Sequence, residues 1–149
     1  MKISTRGRYA LRMLVELARR QESGYVPLVE ISESQNISKK YLEQIIPLLS
    51  RAGFLDAKLG LRGGYRLAKP ATDYTVGDVL RATEGSLAPV ACVENEGDCD
   101  HCDGCRTQPI WKNLAEVVAK YLDGITLQDV LDRNVDLERD ISFADGLGI

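Results

Sequence analysis

LVEISESQNISKKYLEQIIPLLSRAGFLDAKLGLRGGYRLA, residues 28–68, is the stretch on which the fold turns. Its apolar spacing predicts a short helix over Leu28–Ser34, a tight turn at Gln35-Asn36-Ile37, and a second helix from Lys39 to about Ala52. Ser38 is a good N-cap for that second helix, and Gly53 closes it in the C′ position. Pro47 removes the bond to the Glu43 carbonyl and is expected to kink the helix, leaving its first turns straight and presentable. Phe54–Lys58 and Gly64–Ala68 then read as two strands around the loop 59–63.

Outward from this stretch the pattern is helical. Tyr9, Ala10, Met13, Leu14, Leu17 and Ala18 recur at helical spacing and predict an amphipathic helix over Thr5–Arg20. On the other side, Thr75 caps a helix from Val76 to about Thr83 that ends at Gly85. A polar, Gly-dotted segment over Pro89–Gln108 follows. Beyond it Ile110, Trp111, Leu114, Val117, Val118, Tyr121, Leu122 and Ile125 fall on one broad stripe of a long helix, and Thr126 caps a last helix over Leu127–Leu131.

Helix, short helix, turn, capped helix and hairpin is the order of a winged helix-turn-helix. The expected fold is mostly α with a small β-hairpin wing. A winged helix-turn-helix domain spans 1–85, a cysteine loop 86–108, a dimerisation helix with a short C-terminal helix 109–131, and an acidic, flexible tail 132–149. The stripe of the long helix is too long and too apolar for the short elements of one small domain to cover. A homodimer follows, with two recognition helices at half-site spacing.

Charge divides along the same line. Residues 1–81 carry 14 Lys and Arg against 8 Asp and Glu, a net of +6, whereas residues 82–149 carry 5 against 14, a net of −9. A basic half joined to an acidic half implies a polyanion-binding face on one side, and the partner expected is double-stranded DNA. Ser38, Lys39, Lys40 and Tyr41 stand in the first turn of the second helix, where outward N–H groups also favour phosphate. Glu43 and Gln44 lie one turn on and address base edges. Lys58, Arg62 and Arg66 supply cations in the wing. No signal peptide is apparent and no apolar run approaches a membrane span, so a cytoplasmic location and no membrane partner are expected.

All four cysteines, Cys92, Cys99, Cys102 and Cys105, fall in the polar segment. Such a cluster in a reducing compartment means soft-metal, iron–sulfur or thiol redox chemistry rather than structural bridges. Zinc, a cluster and a bare thiol switch all fit the spacing. Cys99-x-x-Cys102-x-x-Cys105 also matches three-quarters of a 4Fe–4S ferredoxin spacing, with Cys92 as a fourth ligand. The only histidine, His101, sits inside this loop, which excludes a hydrolytic triad built on histidine elsewhere and argues against an enzyme.

Four pieces carry a family resemblance: the opening M-K-I-S-T-R-G-R-Y-A, Tyr41-Leu42-Glu43-Gln44, Gly63-Gly64-Tyr65, and the cysteine loop ending ahead of Trp111. Through them the chain, from residue 1 to about 131, resembles the IscR-type family of bacterial winged-helix regulators that sense iron–sulfur status. The resemblance implies a 2Fe–2S cluster held by Cys92, Cys99 and Cys105, and control of cluster-biogenesis genes. In the best-known branch a histidine completes the ligand set at the position held here by Gln108. Cys102, His101 and Gln108 are therefore the alternatives for the fourth ligand. A 4Fe–4S branch uses an acidic residue near the N-terminus, where this chain has Arg6-Gly7-Arg8 and so fits less well. The resemblance also implies that Glu43 discriminates between promoter classes according to cluster state. Two other readings compete with it: a cluster-free thiol or partner-sensing regulator of sulfur metabolism, and a small iron–sulfur redox protein.

Overall fold

A computed structural model describes residues 1–95, 97, 99–101 and 103–136. Helix α1 spans Thr5–Arg19, α2 Leu28–Gln35 and α3 Lys39–Arg51. The antiparallel hairpin β1 (Leu55–Lys58) and β2 (Gly64–Leu67) follows, then α4 (Val76–Glu84), the one-turn α5 (Ala91–Glu94), α6 (Gln108–Asp123) and α7 (Leu127–Leu131). The acidic tail expected over 132–149 lies outside the described residues from 137 onward.

The core gathers where the apolar stripes of α1, α2 and α3 meet. Met13, Leu14 and Leu17 of α1 face Ile31 of α2 and Leu42, Ile45 and Leu49 of α3, all fully buried. Leu42, Ile45, Ile46 and Leu49 lie at the i, i+3, i+4, i+7 positions that put them on one face, so the opposite face of α3 is left to solvent. Asn36 ends α2 in the left-handed conformation, and Ser38 Oγ accepts the Tyr41 N–H at 3.2 Å to start α3. The helix runs through Pro47 to Arg51 without interruption. Pro47 is on the solvent face, where the Glu43 carbonyl it fails to bond is open to water.

The hairpin pairs Leu55 with Leu67 and Lys58 with Gly64, turning inward leucines onto the core. Val26 extends this sheet by one bridge: its N–H donates to Tyr65 O at 2.8 Å, and the Tyr65 N–H to Val26 O at 2.9 Å. Gly64 is required there, because a Cβ would lie 2.2 Å from Val26 O.

Several helix ends shift by one residue from expectation, and one shift matters to the core. α6 stops at Asp123 with Gly124 as its cap, so Ile125 is not the last residue of the long apolar stripe. Ile125 is instead buried with Val76 and Leu80 in a second, smaller cluster. The physical reason is a junction between two capped helix starts. Thr75 and Thr126 each form a reciprocal capping box, with Asp78 and Asp129 respectively, and pair with each other as an antiparallel bridge. The Val76 N–H donates to Ile125 O at 2.8 Å and the Leu127 N–H to Tyr74 O at 2.9 Å, which draws the chain out of the helix and into the core.

Candidate DNA-binding face and cysteine loop

The solvent face of α3 presents Lys39, Lys40, Glu43 and Gln44, all exposed, with Ser38 at its head. Tyr41 is half-buried. Its ring meets Tyr9 of α1 edge-on, with centroids 5.1 Å apart and planes at 70°, so it packs α3 onto α1. The wing brings Lys58 and Arg62 to the surface next in the chain. Arg66 pairs with Asp56 at 3.4 Å and lies 4.5 Å from the Tyr25 ring centre, and Lys58 Nζ lies 5.8 Å from the same ring.

What fixes α3 is a polar cluster that the sequence reading missed. Glu16 is a buried carboxylate on α1. It accepts from Arg19 (2.7 Å), Arg20 (2.7 Å) and the Gln35 amide (3.2 Å) at the end of α2. Arg20 also reaches Glu30 of α2 at 2.7 Å. Arg12 donates to both the side-chain oxygen and the backbone carbonyl of Gln35. The turn between α2 and α3 is thus tied to α1 by charged hydrogen bonds as well as by packing. Hydrogen bonding from Arg19 outweighs burial and holds the Glu16 carboxyl at about 2, well below its ordinary 4.5. The sequence signal was available: one acid among arginines, three and four residues before Arg19 and Arg20.

A second carboxylate sits at the other end of α1. Oε1 of Glu84, the last residue of α4, accepts from Ser4 N (3.1 Å), Ser4 Oγ (2.5 Å) and Gly7 N (3.1 Å). An anion at a helix N-terminus satisfies N–H groups and the helix dipole together. Gly7 leaves room for it, since a Cβ there would lie 2.4 Å from that oxygen. Nothing in the sequence indicates this contact across 77 to 80 positions.

The cysteine loop leaves from Gly85, directly after Glu84. Cys92 lies in α5, a turn absent from the sequence reading. Cys99 and Cys105 lie in irregular chain, and all three are free thiols, partly exposed. Cys105 Sγ is 3.3 Å from the Thr107 hydroxyl, and hydrogen bonding from that side chain and from the Thr107 and Gln108 backbone draws its thiol pKa down. His101 is exposed, and Gln108 is the first residue of α6. Cys102 lies outside the described residues. The described loop does not bring its donors together: no group of three His, Cys, Asp or Glu side chains lies close enough to hold a metal ion among the described residues. In chemistry the donor set fits a thiolate-bound iron centre, with three accessible sulfurs on one short segment.

Beyond the loop, α6 has no buried residue, with Ile110 57% and Leu114 39% exposed. Its C-terminal half is fastened to α4. Arg81 grips Asp123 in a two-pronged ion pair at 2.7 and 2.9 Å, and Tyr121 and Leu122 rest on Val76 and Leu80. Gly77 permits the approach, because a Cβ would come within 1.9 Å of the Asp123 carboxylate. Among the described residues no helix is long and apolar enough to cross a membrane.

Residues 3–133 match the Rrf2 family model, described as an iron-dependent transcriptional regulator. The chain belongs to the Rrf2 family. It is 40% identical to the protein rrf2 of Nitratidesulfovibrio vulgaris over 88% of this chain and 87% of that one. Among solved structures it is similar to CymR, the global cysteine regulator of B. subtilis, with a TM-score of 0.74, 34% identity, and 89% and 98% of the two chains covered. It is similar also to IscR of T. potens, with a TM-score of 0.72, 35% identity, and 90% and 88% covered. These neighbours establish the winged-helix fold and a DNA-binding transcription regulator rather than an enzyme. Iron–sulfur control does not follow from membership, since the Rrf2 neighbours include a cysteine regulator as well as an IscR.

Proposed function

We propose that this Rrf2 regulator binds promoter DNA as a homodimer and that an iron–sulfur cluster, 2Fe–2S in the first instance, sets its choice of promoter. The observation that carries the proposal is the position of three accessible thiols, Cys92, Cys99 and Cys105, on the segment joining the DNA-binding body to α6. A bound cluster would supply labile iron–thiolate bonds that report iron and oxidant status. Cys102, His101 or Gln108 would complete the ligand set.

The protein's own residues do the rest. Lys39 and Lys40, with Lys58 and Arg62 of the wing, engage phosphates, while Gln44 and Glu43 face base edges. Glu43 accepts from a cytosine amino group where one is offered and repels the duplex where none is. Ordering of the loop reaches this face through Glu84, which precedes the loop and caps α1. From α1, Tyr9 and Arg12 hold Tyr41 and Gln35. Pairing of α6 with its counterpart covers Ile110 and Leu114 and spaces two α3 helices for a two-half-site operator.

A second reading is a cluster-free regulator of sulfur metabolism, favoured by the similarity to the cysteine regulator of B. subtilis. Anaerobic isolation, an absorption spectrum, and iron and sulfide counts on wild type, Cys92→Ala and Cys102→Ala test the two. The expected result is iron and labile sulfide in equal amounts, abolished by Cys92→Ala. Glu43→Ala should then let the clusterless protein bind sites that otherwise need the cluster. A colourless, metal-free protein that still selects promoters would transfer the conclusion to the second reading.

A further inference from the structure

At the start of α1 two acceptors compete for one donor. The Gly7 N–H lies 3.1 Å from Glu84 Oε1 and 3.4 Å from Ser4 Oγ, while the Ser4 hydroxyl donates to that same carboxylate oxygen at 2.5 Å. Ser4 is the N-cap of α1, with extended backbone at φ −72° and ψ 167°, the setting from which a serine caps a helix unaided. The carboxylate thus takes the better position at a helix end that already has a cap of its own. If Glu84 withdraws, Ser4 Oγ closes on the Gly7 N–H and α1 stays capped.

The contact joins the two parts of the molecule that a signal must connect. Glu84 is the last residue of α4, and the segment carrying Cys92 leaves directly after it. Leu87 of that segment and Ile3, which precedes α1, pack on the same small cluster of Val76, Leu80 and Ile125. Two residues beyond Gly7, Tyr9 meets Tyr41 of α3. Gly7 itself is a poor helix former in the first turn of a helix. Its use is explained by the contact, since a Cβ would lie 2.4 Å from Glu84 Oε1 and 3.1 Å from Leu80 Cδ2. A self-capped α1 would be better served by alanine.

We propose that Glu84 is a positioning residue with two states, an exchangeable cap that couples the cysteine loop to α3. In the engaged state seen here its carboxylate holds α1 against the end of α4. As the loop gathers around its ligand, Glu84 withdraws, Ser4 Oγ takes the Gly7 N–H, and α1 carries Tyr9 and α3 to a different setting. Both states keep α1 capped, so their free energies lie close enough for a loop ligand to bias. This role rests on the loop-controlled promoter choice proposed above, and its test needs no cluster.

Full-length protein is isolated anaerobically, stripped of metal by chelation under reductant, and alkylated with iodoacetamide, with Cys92 followed by mass spectrometry. Three variants release the cap by different means: Glu84→Ala removes the carboxylate, Gly7→Ala blocks its seat, and Ser4→Asp supplies a self-cap that repels it. Each should alkylate at Cys92 at least about threefold faster than wild type, although Gly7→Ala and Ser4→Asp leave α1 well capped. Coupling between sites is reciprocal, so a saturating duplex recovered by in vitro selection should slow Cys92 in wild type about fivefold and leave the three variants unchanged. Faster alkylation in Glu84→Ala alone, or a rise that only follows falling thermal stability, would make the contact a structural one and overturn the proposal. A duplex effect absent from wild type, or retained in Ser4→Asp, would overturn it too. Isolated protein without iron or sulfide would count against the cluster and leave this coupling to stand or fall on the alkylation rates.

Discussion

The two ends of this molecule are held in different ways. In the winged half, α3 buries four apolar residues and the turn before it is tied to α1 through Glu16, Arg12 and Gln35. In the other half, α6 has no fully buried residue, and the ion pair between Asp123 and Arg81 together with Tyr121 and Leu122 fastens it to α4. Ile110 and Leu114 of its apolar side stand exposed in the single chain, which is where a covering surface would act. The contrast teaches that α1, α2 and α3 close a core within one chain, whereas under the proposed function the loop and α6 would be completed by a cluster and a second copy.

The sharpest way to break that contrast is to remove the apolar face of α6. Leu114→Asp should leave the winged half folded, yet give a monomer in sedimentation and lose at least about a hundredfold in affinity for a two-half-site duplex. A dimer of undiminished affinity would place the interface elsewhere. The winged half should respond to a different lesion. Glu16→Gln removes a carboxylate whose pKa is held at about 2 against an ordinary 4.5. A depressed carboxyl contributes stability that is fully present above about pH 4.5 and is lost as pH falls toward 2. Substitution should cost about 2–3 kcal/mol at pH 7 and flatten the stability curve between those pH values. An acid limb unchanged from wild type would show that the cluster is not what Glu16 stabilises. The smallest effect belongs to the seam between the halves. Asp123→Asn opens an ion pair whose side chains are more than 40% exposed, so a loss of under about 1 kcal/mol is expected in chemical denaturation.

Much of the fold was legible because it is local. The cap at Ser38, the turn at Asn36, the hairpin around 59–63 and the caps at Thr75 and Thr126 each depend on residues within a few positions of one another. The exposed stripe of α3 followed from its apolar period. What escaped was long-range or locally ambiguous. Ile125 continued the helical apolar pattern, and only the bridge between Thr75 and Thr126 took it out of the helix and into the core. Tyr41 and Arg66 also make contacts that their neighbours in sequence do not announce: the Tyr41 ring meets Tyr9 of α1, and Arg66 pairs with Asp56 and lies over Tyr25.

The sequence by itself determined the order of elements, the sign of each half's charge, the residues on the open side of α3 and the clustering of every cysteine in one segment. These depend on period, capping chemistry and composition, which are properties of neighbouring residues. Only the tertiary structure decided that Glu84 closes the N-terminus of α1, that Arg81 and Asp123 fasten α6 to α4, and that Leu59 and Leu61 stand free at the wing tip. Partners 40 to 80 residues apart meet because the core brings them together, and whether a leucine is covered depends on every element that does or does not pack over it.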